Sequence, residues 1–444
     1  MSGRKEAKGR RSFLKTTAGL CAVGVQETLA PRPLIRLWTS ARTIKEELSV
    51  TGLRELHEKM SGYAGRGDVP GLVTLVSRGE EADVAAFGVR SVGGEGSQKV
   101  QRDTIFRIAS MTKAITAVAT MMLVESGNVR LDEPVDRLLP ELANRKVLKR
   151  PDGPLDGTVP AKRAITVRDL LTFQLGLGLI LGPPDSIPLM KKMYELQVGV
   201  TPFPAQMPLA PDEWIKRLGS LPLAHQPGES WLYHTGSDVL GLLIARASGQ
   251  PLGTFFRERI FEPLGMKDTG FSVSANKMNR FVACYGMNPQ TKKLDVVDPP
   301  GGQWSKPSAF PSGAGGLVST VDDYLAFAKM LLKKGATGKK RLVKESSVEL
   351  MTTNHLTAEQ QAKGRLILGD KTGWGFGVSV LLEPDALASK PGRYGWNGGL
   401  GSSWWNDPER GLIAIILTER VFESADPPAV VKDFWRGAYA TAGN

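Results

Sequence analysis

The sequence predicts an α+β fold: an antiparallel sheet flanked by N- and C-terminal helices, an inserted mostly helical domain, and an active site in the cleft between the two. Three observations predict it. Strand-like pairs joined by turns lie near both ends of the chain, so one sheet can draw strands from each. The stretch between them, 106–300, reads mostly as helices. The 444 residues, with 41% hydrophobic content, suffice to bury a large core in one big or two intimate domains.

Taken in order, Gly9-Arg10-Arg11-Ser12-Phe13-Leu14-Lys15 precedes a weakly apolar run, Thr16 to Val25, and small residues end at Ala30. This leader resembles a twin-arginine signal, so residues 1–30 are expected to direct export to the periplasm or beyond through the twin-arginine machinery. A disordered basic tail is the alternative. The apolar run is about half a membrane span, and Leu20 before Cys21 is too large for a lipoprotein cleavage box, so no stable membrane anchor is expected. The sheet domain is expected over 31–105 and 301–444. It opens with a helix, Thr43 to Ser61, then a hairpin of Gly71 to Ser77 and Ala82 to Val89 about the turn Arg78-Gly79-Glu80-Glu81. Within 106–300, helices are read at Val167 to Phe173, Asp212 to Leu218, Ser237 to Ser248 and Gly253 to Phe261. The far end supplies strands at Trp374 to Leu382, Ser402 to Asn406 and Leu412 to Thr418, and a closing helix at Val430 to Tyr439.

Composition narrows the function classes. The net charge of +12 is scattered, and residues 1–30 hold six Lys/Arg against two Asp/Glu, so the remainder carries +8. Clusters such as Lys339-Lys340-Arg341 lack interleaved aromatics and read as solvated faces, not a nucleic-acid surface. Of two cysteines, Cys21 lies in the leader, so Cys284 has no internal partner once the leader is removed. His57, His225, His234 and His355 form no metal-ligand spacing, and neither a metal nor another cofactor is expected.

The stretch that carries chemistry is Phe106 to Ile115. From Ala114 to Val124 nearly every residue is apolar, too long for a strand and suited to a core helix that Gly127-Asn128 closes. Ser110 and Lys113, three apart at its start, share one helix face. A lysine desolvated at a helix N-terminus, where the dipole disfavours its charge, can take the serine proton. The same Ser-x-x-Lys spacing recurs at Ser12 to Lys15 and Ser274 to Lys277, and by itself it also fits an N-cap serine beside a solvated lysine. Two further stretches give Ser110 partners. Tyr233 sits on a loop just before a helix and can act as a general base and acid, if positive charge nearby lowers its affinity for the proton; by residue type it equally fits a core tyrosine. Gly398-Gly399-Leu400-Gly401, ahead of a strand, offers bare backbone N–H groups to a developing oxyanion.

Together these stretches resemble the serine β-lactamase-like superfamily, specifically class C β-lactamases, family VIII carboxylesterases and penicillin-binding-type peptidases. Supporting phrases follow in order: Leu131-Asp132-Glu133-Pro134-Val135, Ile165 to Thr172, Tyr233 to Gly241, Pro263-Leu264-Gly265-Met266 and Gly313 to Thr320. The resemblance covers nearly all of the chain beyond the leader. It implies Ser110 as nucleophile, Lys113 as its base, Tyr233 as a second acid/base group, and the Ser110 and Gly399 N–H groups as oxyanion hole. It also implies the split fold inferred above.

Departures from the pattern bear on the substrate. Where lactamases of this group carry Tyr-x-Asn, this chain has Tyr233-His234-Thr235, which lacks the amide that would hold a β-lactam side chain. The Lys-Thr-Gly strand motif is replaced by Trp396-Asn397-Gly398, resembling the version in family VIII esterases; an indole cannot bind a carboxylate as lysine does. A literal Lys371-Thr372-Gly373 precedes what resembles the neighbouring strand and reads as a decoy, while Arg393 is a nearby source of positive charge. Gln174, in a stretch that usually reads Thr-His-Thr-Ser-Gly, is a candidate substrate contact with Thr235, Trp396, Asn397 and Gly398. The Pro-rich segment 182–211 reads as an irregular cover near the cleft or a loop packed on its own domain. The expected function is a serine hydrolase working through an acyl-enzyme, a carboxylesterase on small or apolar esters, with a small-molecule ester or amide as partner. A class C-like β-lactamase or D-alanyl-D-alanine peptidase is the alternative, and a catalytically silent binding protein of the same fold the second. An α/β-hydrolase triad is not supported, since no Gly-x-Ser-x-Gly is present.

Overall fold

Near-continuous apolar runs in the strands at both ends of the chain point to a sheet covered on both faces. In the computed structural model, which describes residues 47–93, 98–183, 185–199 and 206–443, that sheet has seven strands. The leader, with Ser12 and Lys15, lies outside the described residues. Strands β1 (Gly71–Arg78) and β2 (Glu81–Gly88) come from the N-terminal part. The C-terminal part gives β3 (Thr372–Trp374), β4 (Ser379–Leu381), β5 (Tyr394–Gly398), β6 (Ser402–Asp407) and β7 (Leu412–Thr418). They lie in the order β3-β4-β5-β6-β7-β1-β2 with every neighbour antiparallel. Leu75 pairs with Ile415 and Val84, and Trp396 with Trp404.

Because successive side chains alternate between faces, β1 and β7 feed two cores. Leu72, Val76, Leu412, Ala414 and Ile416 pack with Leu56 and Met60 of α1 (Val50–Gly65) and with Val431, Phe434 and Ala438 of the C-terminal helix (Ala429–Thr441). Val73, Leu75, Ile413, Ile415 and Leu417 face the larger core with α2 (Thr112–Glu125) and α3 (Thr235–Ser248). Residues 112–123 of α2 are all buried, so its polar side chains need partners inside the protein. Thr116 Oγ1 donates to the Gly313 carbonyl at 2.7 Å and Thr120 Oγ1 to that of Thr116 at 2.9 Å.

Two local expectations change. Trp374 to Leu382 is not one strand: the chain turns between β3 and β4, with Gly377 at φ +75°. A Cβ on Gly377 would lie 2.6 Å from the Lys113 carbonyl oxygen, so the bare turn lets the sheet edge approach the start of α2. The glycine-rich stretch around Trp396 is itself strand β5, hairpinned to β6. It reads poorly as a strand because three of its residues are Gly or Asn. Among the described residues no helix is long and apolar enough to cross a membrane, and no His/Cys/Asp/Glu group could hold a metal ion.

Just past β7, Glu419 is 1% exposed and neither carboxylate oxygen has a hydrogen-bond partner among the described residues. Burial pushes its carboxyl well above the ordinary range, against the opposing pull of Arg107 and Arg90. An acid whose folded value is raised contributes full stability below its unfolded value of 4.5, and that contribution is lost as pH rises toward the folded one. Stability should therefore fall above pH 4.5 by up to about 1.4 kcal/mol per pH unit from this group. Glu419→Gln is expected to flatten that fall. Denaturant melts between pH 5 and 9 check it; parallel pH profiles for the two proteins would reject it.

Candidate active site

Ser110, the candidate nucleophile, sits where a short 3-10 turn, Ala109–Met111, enters α2. Ala109 is held at φ +43°, a conformation rare for a residue with a side chain. One helical turn on, Lys113 Nζ lies 3.0 Å from Ser110 Oγ, so the i, i+3 contact read from the sequence is made. Ser274 and Lys277 instead lie at a separate 3-10 segment, where Lys277 pairs with Asp268.

Lys113 is completely buried, and burial holds its amine down at about 7 even though Asp238 pulls the other way. Its Nζ also donates to the Ala314 carbonyl at 2.7 Å and lies 3.3 Å from His234 Nδ1. The Tyr233 phenol oxygen accepts from Trp396 Nε1 at 2.6 Å. The condition under which Tyr233 would act as a base, positive charge lowering its proton affinity, is opposed by its surroundings. Lys113 meets the face of the ring, 4.5 Å from its centroid, and burial among aromatics raises the phenol well above its usual value. Tyr233 is held as a neutral phenol. Trp396 fixes it: rings of Phe173, Trp231, Trp374 and Trp396 surround Tyr233, and the indole N–H holds its oxygen.

Ser110, Tyr233, His234, Trp396, Asn397 and Gly399 line one pocket of about 260 Å³. Leu179, Leu181, Ile367 and Phe422 give it apolar walls. A neighbouring pocket of about 290 Å³ shares Leu179, Leu181, Tyr233 and Ile367 with it. Gly399, in the β5–β6 turn, thus reaches the same space as Ser110, while Gly398 presses on the Ile108 carbonyl just ahead of Ser110.

Asn397 lines that pocket, but its side-chain oxygen is turned to the opposite face of the sheet from Trp396, where it accepts from Ser403 Oγ at 2.6 Å. Other candidates are placed elsewhere. Arg393 pairs with Asp385 in a separate pocket with Trp405 and Trp435, so it supplies no charge at Ser110. Thr235 is buried in the first turn of α3 and does not line the pocket. Gln174 is tied to Gln360 Nε2 and the His355 carbonyl, outside the pocket. Lys371 projects from the sheet's edge and donates to the Pro384 carbonyl, away from Ser110. In 182–211, the described residues include a helix, Pro188–Glu195, and Ile187 lines the second pocket.

The site residue that sequence reasoning passed over is His234. It adopts φ +86°, ψ −66°, and the Thr235 N–H reaches the Tyr233 carbonyl at 3.3 Å, which makes a strained γ-turn. Its Nε2 lies 3.3 Å from Asp238 Oδ2. Burial and the Lys113 charge lower its affinity for a proton, against Asp238, so the imidazole is neutral. Burial pushes the Asp238 carboxyl up, but His234, Ser312 and Lys113 together hold it below the ordinary value. The available signal was the i, i+4 spacing of His234 and Asp238 at a helix start.

A family model described as Beta-lactamase matches residues 55–431. Protein Rv1367c of Mycobacterium tuberculosis is 38% identical over 375 residues, covering 82% of this chain and 90% of the relative. Esterase EstB of Burkholderia gladioli is 30% identical over 380 residues, covering 81% and 88%. The solved structure of EstCE1, a hydrolase with promiscuous acyltransferase activity, superposes with a TM-score of 0.73 at 24% identity, covering 88% of this chain and 99% of that one. The chain belongs to the beta-lactamase family, a serine hydrolase lineage in which esterases and acyltransferases are among its relatives.

Proposed function

We propose that the protein is a serine carboxylesterase acting on apolar esters through an acyl-enzyme. The observation that carries this reading is Ser110 Oγ, 3.0 Å from an amine that burial holds down at about 7, in a pocket lined mainly by apolar surface. Ser110 attacks the ester carbonyl and its proton passes to Lys113. The oxyanion takes hydrogen bonds from the Ser110 and Gly399 N–H groups. As the C–O bond breaks, the leaving alkoxide recovers the proton from Lys113, and the neutral Tyr233 phenol hydrogen-bonds the developing charge. Water repeats the sequence on the acyl-enzyme with Lys113 again as base. Lys113 is better suited as the base than Tyr233, because its value lies near the working pH and the phenol's lies far above it.

The placement of Trp396, Thr235 and Lys371 supports esters over β-lactams: no lysine stands at the strand position beside Ser110, and Thr235 is not in the pocket. The second pocket, sharing four residues with the first, favours a further reading in which an apolar alcohol competes with water for the acyl group. The arginine-pair leader supports export by the twin-arginine route. The test is hydrolysis of p-nitrophenyl butyrate by the wild type and Ser110→Ala, with nitrocefin as competing substrate. Ester turnover abolished by the substitution, with nitrocefin slow, is expected; rapid nitrocefin turnover would overturn the esterase reading. Adding 1-hexanol measures the acyl partition, and butyrate ester formation is the expected sign of transfer.

A further inference from the structure

We infer that His234 and Asp238 are a positioning pair that holds the Lys113 amine with its lone pair toward Ser110; this rests on the Ser110–Lys113 reading above. A neutral amine has two N–H bonds and one lone pair, and only the lone pair can take the serine proton. Two acceptors stand beside Nζ: the Ala314 carbonyl at 2.7 Å and His234 Nδ1 at 3.3 Å. With both N–H bonds so occupied, the remaining direction is left for Ser110 Oγ at 3.0 Å. Without the imidazole, the amine can turn an N–H onto Ser110 and make the serine an acceptor.

Asp238 fixes both arms. Its Oδ2 beside Nε2 selects the tautomer that leaves Nδ1 free to accept. Its Oδ1 accepts from Ser312 Oγ at 2.6 Å and from the Ala314 N–H at 3.1 Å, and Ser312 Oγ in turn accepts at 3.1 Å from the Gly315 N–H, which shares its peptide with the carbonyl that holds Lys113. The backbone gives an independent sign. In an extended chain, adjacent Tyr233 and His234 would point to opposite sides. The γ-turn at His234 aims both at one amine, with Nζ 4.5 Å from the phenol ring centroid and 3.3 Å from the imidazole. Strain of this kind persists where the surroundings over-determine it. The titratable groups facing His234 are Lys113, Tyr233 and Asp238.

The experiment compares wild type, His234→Ala, His234→Asn and Asp238→Asn in kcat, KM and the pH profile of p-nitrophenyl butyrate hydrolysis, and in the rate of Ser110 labelling by a fluorophosphonate. His234→Ala is expected to lower kcat and labelling about 30-fold or more with KM within about twofold. His234→Asn should recover much of the loss, since asparagine tolerates positive φ and its oxygen can accept from Lys113. Asp238→Asn should move the acid limb of kcat/KM to lower pH, because Lys113 loses the anion that favours its charged form. Wild-type labelling matched by His234→Ala would overturn the inference, as would equal losses in all three variants that track a fall in Tm with no change in the acid limb. A wild type that fails to label at Ser110 would instead reject the underlying serine reading.

Discussion

Lys113→Met is expected to lower kcat/KM for an aryl butyrate by about 10³-fold while raising Tm by a few degrees. Methionine keeps the length and apolar stem of the lysine but has no proton acceptor of comparable basicity. The opposite signs follow from one observation: Lys113 is fully buried beside Ser110, and its amine is held at about 7 at a cost in stability that the apolar side chain would not carry. Lys113→Arg separates base from charge. Arginine stays protonated, so a purely electrostatic role would retain most of the activity, and retention within tenfold would sink the assignment of Lys113 as base. The wild-type profile gives a second check. Since the unprotonated amine is the active form, kcat/KM should rise about tenfold per pH unit below 7 and level off above it.

What was legible in the sequence is what local geometry dictates. Ser110 and Lys113 could be paired because a helix forces residues three apart together, and α2 could be recognised from its apolar run. The Tyr233–Trp396 bond joins residues 163 apart, and neither position alone says that the indole anchors the phenol. Asn397 sits in the right motif, yet strand alternation turns its side chain to the other face of the sheet. The same alternation sends Arg393 to Asp385. His234 was hidden by its backbone: a γ-turn at a residue with a side chain cannot be read from propensity, and without it the imidazole would not meet Lys113. The sheet shared by both ends was legible for a different reason, since β1 and β7 are apolar enough to require cover on both faces.

Gly398→Ala should be among the most damaging single-methyl additions. At the tip of β5, a Cβ on Gly398 would overlap both Ser402 Oγ and the Ile108 carbonyl oxygen. Neither can yield easily. Ser402 Oγ already donates to that carbonyl at 2.9 Å, and the Ile108 N–H is bonded to the Leu317 carbonyl at 3.0 Å. Ile108 leads directly into Ala109, at φ +43°, and Ser110, so a methyl that displaces the carbonyl also displaces the nucleophile relative to Gly399 and Lys113. Overpacking of this kind costs about 1–3 kcal/mol of stability. A nucleophile moved by about 1 Å is expected to lose on the order of 10² in kcat. Gly411→Ala supplies the contrast: it stands in a surface turn at φ +59° with open space around it, so it should lose only about 1 kcal/mol from backbone strain and keep its kcat. Melts and ester kinetics on the two variants decide the matter. If Gly398→Ala keeps wild-type turnover, close approach of β5 to the Ser110 turn does not set the nucleophile's position. If kcat falls far beyond what the melt explains, the bare backbone at Gly398 is what lets the sheet seat Ser110 against its base.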